Sequence, residues 1–102
     1  MRAHTLEHIR ERYAALLPTV EKPARYAGGE MYARYKSPDD VRARLCLAFP
    51  DAYEIGMSHM GTKVLYHVVN ECADFWAERA FAPWPDFDAK LDAEGLPILT
   101  LE

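Results

Sequence analysis

Leu6, Ile9, Tyr13, Leu16 and Leu17 recur at helical spacing, and Glu7, Arg10, Glu11 and Arg12 fill the positions between them. Side chains three and four apart share a helix face, so this run predicts a short amphipathic helix. Thr5 stands where a cap belongs, and Pro18 ends the run. From Thr19 to Asp40 no period holds. Prolines at 18, 23 and 38, the pair Gly28-Gly29, and Tyr26, Met31, Tyr32 and Tyr35 predict an extended, partly hairpin-like lead-in.

The regular part begins near Val41. Arg42 to Phe49 reads as a buried strand, broken at Pro50. A polar loop with Gly56 and Gly61 follows, and Gly61 opens a helix whose apolar face is Val64, Leu65, Val68, Val69 and Cys72. Phe75 to Phe81 reads as a second strand. Pro83-Trp-Pro-Asp86 predicts a rigid turn, with Asp86 capping a helix through Phe87 and Leu91 and Gly95 closing it. Leu96 to Leu101 is then a third strand. Strands alternating with helices over short connections predict parallel pairing.

The expected fold is therefore α/β: a Rossmann-like partial parallel sheet of the flavodoxin or cobalamin-binding kind, in the order β-α-β-α-β. Residues 1–40 form the helix and lead-in, and residues 41–102 the partial domain, truncated at its C-terminal end. Three parallel strands with an open apolar edge make an unfinished sheet and a predicted association site. The expectation is an N-terminal piece of something longer.

Composition narrows the classes. Half of the 102 residues are hydrophobic and 12% aromatic, which argues against disorder. Net charge is −4, from 16 acidic and 12 basic side chains, so electrostatic binding of a nucleic-acid backbone is not supported. Arg34, Lys36, Arg42 and Arg44 are the local basic concentration. No run approaches the roughly 18 continuous apolar residues of a membrane span. The N-terminus has no secretory apolar core, which points to a cytoplasmic protein. Cys46 and Cys72 sit in apolar periodic segments and read as reduced, buried thiols.

Chemistry concentrates in Asp51-Ala-Tyr-Glu-Ile-Gly-Met-Ser-His-Met-Gly61. In open α/β sheets ligands bind outside the carboxyl ends of strands, beside a helix N-terminus. Gly56 and Gly61 relieve a tight strand-to-helix turn and also permit close backbone approach to a flat or anionic ligand. Gly56-x-x-x-x-Gly61-Thr62-Lys63 has the spacing of a P-loop, but threonine and lysine are exchanged, turning each about 100° away on the helix. Gly-x-Gly-x-x-Gly is absent. His59 could ligate cobalt, but the Asp-x-His-x-x-Gly pattern of histidine-on cobalamin folds fails: Met57 stands in the aspartate position and Gly61 arrives one residue early. His4 and His8 are four apart without a third ligand. No Gly-x-Ser-x-Gly is present, and neither cysteine has an evident base. The aromatic stretch from Trp76 to Trp84 reads as core packing and a stiff turn, or as an interface.

Three blocks then become informative together: Glu21-Lys-Pro-Ala-Arg-Tyr-Ala-Gly-Gly-Glu30, Leu47-Ala-Phe-Pro-Asp-Ala-Tyr-Glu-Ile-Gly-Met-Ser-His-Met-Gly61, and Ala77-Glu-Arg-Ala-Phe-Ala-Pro-Trp-Pro-Asp86. In order and spacing they resemble the N-terminal region of a family of bacterial radical S-adenosylmethionine (SAM) proteins that carry a cobalamin-binding-like domain ahead of the radical domain. The resemblance implies cobalamin in this domain, with Tyr53, Glu54, Gly56, Met57, Ser58, His59 and Gly61 on the cofactor-facing edge. It implies a [4Fe-4S] cluster and S-adenosylmethionine only in a downstream radical SAM domain, the expected partner. The Cys-x-x-x-Cys-x-x-Cys that would hold that cluster is not in this sequence. The alternative is a non-catalytic interaction or scaffold domain with a degenerate cofactor site.

Overall fold

A computed structural model describes residues 6–102. Thr5, expected as a cap, and His4, expected beside His8, lie outside the described residues. Helix α1 (Leu6–Leu16) stops before Pro18, and a 3-10 turn over Leu17–Thr19 carries the chain out of it. Helix α2 (Ala24–Ala27) is a single turn. The lead-in then runs without regular structure to a second 3-10 turn at Pro38–Asp40, where the Ser37 hydroxyl accepts from the Asp39 N–H.

Strand β1 (Ala43–Phe49) is followed by helix α3 (Tyr53–Ser58), helix α4 (Met60–Glu71), strand β2 (Phe75–Phe81) and helix α5 (Pro85–Glu94). β1 and β2 pair in parallel, in register from Ala43 opposite Phe75 to Phe49 opposite Phe81. Their parallel pairing is as the sequence predicts. The expected third strand is not formed: the sheet among the described residues has two strands. Leu96 to Leu101 runs as extended chain, and its main-chain pairing with β2 is one hydrogen bond, from the Leu101 N–H to the Arg79 carbonyl (2.8 Å). The matching Arg79 N–H donates to the Glu102 side chain (2.8 Å) instead of to a strand carbonyl, so no ladder propagates. The β-α-β-α-β order thus reduces to one βααβ unit followed by a helix and a tail.

The main core lies away from the strands, where α1, α2 and α5 meet. Tyr13, Val20, Tyr26, Phe87, Leu91 and Leu96 are buried together, with Phe87 wholly inaccessible. The Tyr26 ring lies 4.1 Å from that of Phe87, and Tyr13 meets it edge-on at 5.0 Å, a geometry the aromatic quadrupole favours. Gly95 ends α5 in the left-handed region (φ 64°), as its position predicts. The cap at the other end is Trp84, not Asp86. Asp86 sits in the first turn, where its carboxylate accepts from the N–H groups of Phe87 and Glu21.

Two burial expectations are corrected. β2 is the buried strand, whereas β1 is largely exposed; Leu45 keeps 46% of its surface. A parallel strand is normally covered on both faces and flanked on both sides; among the described residues β1 has a strand neighbour on one side only. For the same reason Val64, Leu65 and Val68 on α4 remain exposed, and so do both cysteines, which are free thiols. No helix among the described residues is long and apolar enough to cross a membrane.

Phe87→Ala should therefore cost about 3–5 kcal/mol, since truncating a buried aromatic removes its transfer energy and leaves a cavity. The same change at exposed Phe75, 42% accessible, should cost less than a third of that. Urea unfolding of the two variants measures the difference.

Candidate functional site

β2 carries adjacent opposite charges, Glu78 and Arg79, in an otherwise apolar run. Side chains alternate across a strand, so the two point to opposite faces of the sheet. Both are buried, and both are paired. On one face the Glu78 carboxylate accepts from Arg44 Nε and Nη2 (2.7 and 2.8 Å) and from the Thr100 hydroxyl (2.8 Å). Burial pushes the Glu78 carboxyl up, but the bonds from Arg44 and Thr100 outweigh it and hold the group below its ordinary range. On the other face the Arg79 guanidinium donates to the Glu102 carboxylate (2.8 Å), lies 4.0 Å from the centre of the Tyr66 ring, and touches the Met57 sulfur at 3.6 Å.

Arg79 forms the floor of a groove of about 480 Å³ beside the carboxyl-terminal half of β2. Met57 from α3, Lys63, Tyr66 and His67 from α4, and Met31 to Arg34 from the lead-in complete it. No carboxylate is among its lining residues. Arg34 is paired with Glu71 and Arg79 with Glu102, while Lys63 has no ion-pair partner among the described residues. The volume falls within the range of small-molecule sites. A hollow of about 520 Å³ between α1 and residues 98–102 is slightly larger, but its Arg44 and Glu78 are already paired with each other. The groove is the better candidate because it holds an uncommitted cation beside apolar and aromatic surface.

The seven residues expected on a cofactor-facing edge meet different neighbours in the structure. The expected loop is instead α3, and α4 starts at Met60, one residue before Gly61. Tyr53 donates to the Glu30 carboxylate, and burial followed by that bond pushes its phenol up to about 12. Glu54 accepts from Arg25 Nε (2.8 Å), which draws its carboxyl down. Gly56 is buried under Phe81: a Cβ there would stand 2.1 Å from the Phe81 ring, so only glycine lets α3 seat on the end of β2. Ser58 donates back to the Glu54 carbonyl (2.8 Å). Met57 alone of the seven lines the groove.

His59 caps α4. Its Nδ1 accepts from the Thr62 N–H (3.1 Å), and its ring packs 4.8 Å from Phe49. A backbone N–H can only donate, so Nδ1 carries the lone pair and the proton of the neutral ring resides on Nε2. A neutral imidazole binding metal through Nε2 needs the reverse arrangement. His59 as capped does not fit an axial cobalt ligand. Among the described residues no group of three or more His, Cys, Asp or Glu side chains is placed to hold a metal. Of the sequence's basic concentration, Arg34 and Arg44 are in ion pairs and Lys36 Nζ donates to three carbonyls, of Asn70, Cys72 and Phe75.

Sequence reasoning missed Arg79, Glu102, Tyr66 and Asn70. The signal for the first was present: a charge pair inside an apolar strand must be met by partners. Nothing in the spacing told which ones.

With this geometry in view, residues 61–102 match the family model described as radical SAM proteins, N-terminal. That span holds α4 from Gly61, β2 with its charge pair, α5 and the tail through Glu102. No curated protein and no solved structure matches the chain. The match supports the radical SAM part of the resemblance and does not reach cobalamin.

Two outcomes are expected. His59→Ala should lower stability by about 1 kcal/mol through loss of the α4 cap, measured by urea unfolding. The raised phenols give an alkaline limit: Tyr13, pushed up to about 12 by burial, and Tyr53, also about 12, are neutral in the folded chain above the unfolded value of 10.0. Their stabilisation is full below pH 10 and is lost as pH rises from there through about 12. Unfolding followed against pH should show that decline, and Tyr53→Phe should reduce it.

Proposed function

We propose that this chain is an N-terminal, cobalamin-binding-like module of a radical SAM iron–sulfur protein, acting in binding and docking and not in the radical step. The observation that carries the radical SAM part of this reading is the family match over residues 61–102, because it covers β2 and Arg79, which lines the groove. In this reading the cluster and S-adenosylmethionine belong to a partner domain downstream, and the protein is cytoplasmic.

A second role for the module has its own support. Glu54, Gly56, Ser58 and His59 are committed to internal contacts, and Met57 replaces the aspartate that would orient a ligating histidine. These favour a scaffold whose cofactor edge is degenerate with respect to axial ligation. A corrinoid held here would be without a bond from His59, whose ring caps α4.

The test uses the full-length protein, purified and reconstituted anaerobically with iron, sulfide and hydroxocobalamin. Cluster absorbance and reductive cleavage of S-adenosylmethionine are expected. Any corrinoid retained should have a spectrum unchanged by His59→Ala. Failure to load a cluster would sink the radical SAM reading, and histidine nitrogen coupling in the Co(II) signal would sink the claim about His59.

A further inference from the structure

The two edges of the β1–β2 sheet are finished differently. On the outer side of β2, side chains take the main-chain groups one by one. The Asn70 amide bonds both groups of Ala77 (N–H 2.9 Å, carbonyl 3.1 Å). Leu101 and Glu102 take both groups of Arg79, and Lys36 Nζ takes the Phe75 carbonyl (2.6 Å). A strand cannot add there without displacing all of them.

β1 is the reverse case. Because Ala77 and Arg79 bond outward, Trp76, Glu78 and Ala80 direct their main-chain groups at β1. In a parallel ladder each such residue bonds the residues flanking its register partner. The partners are Arg44, Cys46 and Ala48, so the bonds go to Ala43, Leu45, Leu47 and Phe49. The N–H and carbonyl groups of Arg44, Cys46 and Ala48 therefore face away from β2. Alongside them runs a groove of about 240 Å³ lined by Cys46, Leu47, Ala48, Phe49, Thr62 and Leu65. Leu45 on β1 and Val64 and Val68 on α4 are also exposed.

We infer that β1's outer edge is the docking site for a parallel strand contributed by the remainder of the radical SAM protein. The inference rests on the reading proposed above. Parallel sheets occur almost only with more strands and both faces covered, which a second copy paired antiparallel would not supply. Main-chain groups give such a partner its affinity, and the groove selects its side chains. Charge further specifies it. Arg42 precedes β1, where Arg44 is already paired with Glu78, and Asp51 follows its carboxyl end, so the complementary strand is apolar, acidic at its start and free of acid at its end.

Amide hydrogen exchange resolved by residue tests this, on the 102-residue chain and on the full-length protein. In the 102-residue chain the Arg44, Cys46 and Ala48 amides should exchange at least tenfold faster than those of Leu45 and Leu47. In the full-length protein all five should be protected. Cys46→Pro removes an outward N–H at an edge, where proline is tolerated. It should leave the 102-residue fold intact by circular dichroism yet abolish protection of Arg44 and Ala48 in the full-length protein. Fast exchange at these amides in a full-length protein with a loaded cluster would overturn the docking inference alone. Protection already present in the 102-residue chain, with sedimentation as a dimer, would assign the edge to a second copy and overturn it too. A full-length protein without a cluster would instead remove the reading on which the inference rests.

Discussion

Everything near the sheet is organised by one requirement: the Glu78–Arg79 step puts opposite charges on opposite faces of a buried strand, and each needs a partner there. Arg44 on the neighbouring strand answers Glu78 and helps fix the β1 register. Glu102 answers Arg79 and pins the tail. Removing Glu102 should cost about 3–5 kcal/mol, because the buried Arg79 would be left charged and dry, whereas Arg44 is half exposed and its loss of Glu78 is eased by water. The pairs thus specify which segments meet, while the aromatic cluster around Phe87 supplies apolar burial elsewhere.

That division explains what could be read from the sequence. The helical period of residues 6–17, the parallel strands and the Gly95 stop were legible because each is a local rule that tertiary contacts leave standing. The third strand was not. Leu96 to Leu101 has a strand's composition, but Asn70 and Glu102 occupy the edge it would need, and neither is visible as an edge partner in a one-dimensional pattern. Exposure of β1 was also missed, since an apolar run indicates that a strand is meant to be covered and not by what.

The candidate site divides along the same line. Gly56 was singled out for close approach, and close approach is its role, but toward Phe81 and within the fold. His59 was weighed as a cobalt ligand, and its ring instead caps a helix. Met57, expected on the cofactor-facing edge although it departs from an aspartate, is the member of the set that opens on the groove. The groove's other walls come from the lead-in and from α4, segments whose convergence is a property of the assembled chain.

The spacing between Arg79 and Glu102 also bears on vectorial synthesis. The guanidinium is translated 23 positions ahead of its counter-charge, whereas every member of the Phe87 cluster precedes residue 97. A nascent chain can collapse its aromatic centre while the β2 cation still needs water. The strand becomes fully committed only once Glu102 has left the ribosomal tunnel, so a chain still tethered by that segment holds a half-closed intermediate with aggregation-prone sheet surface.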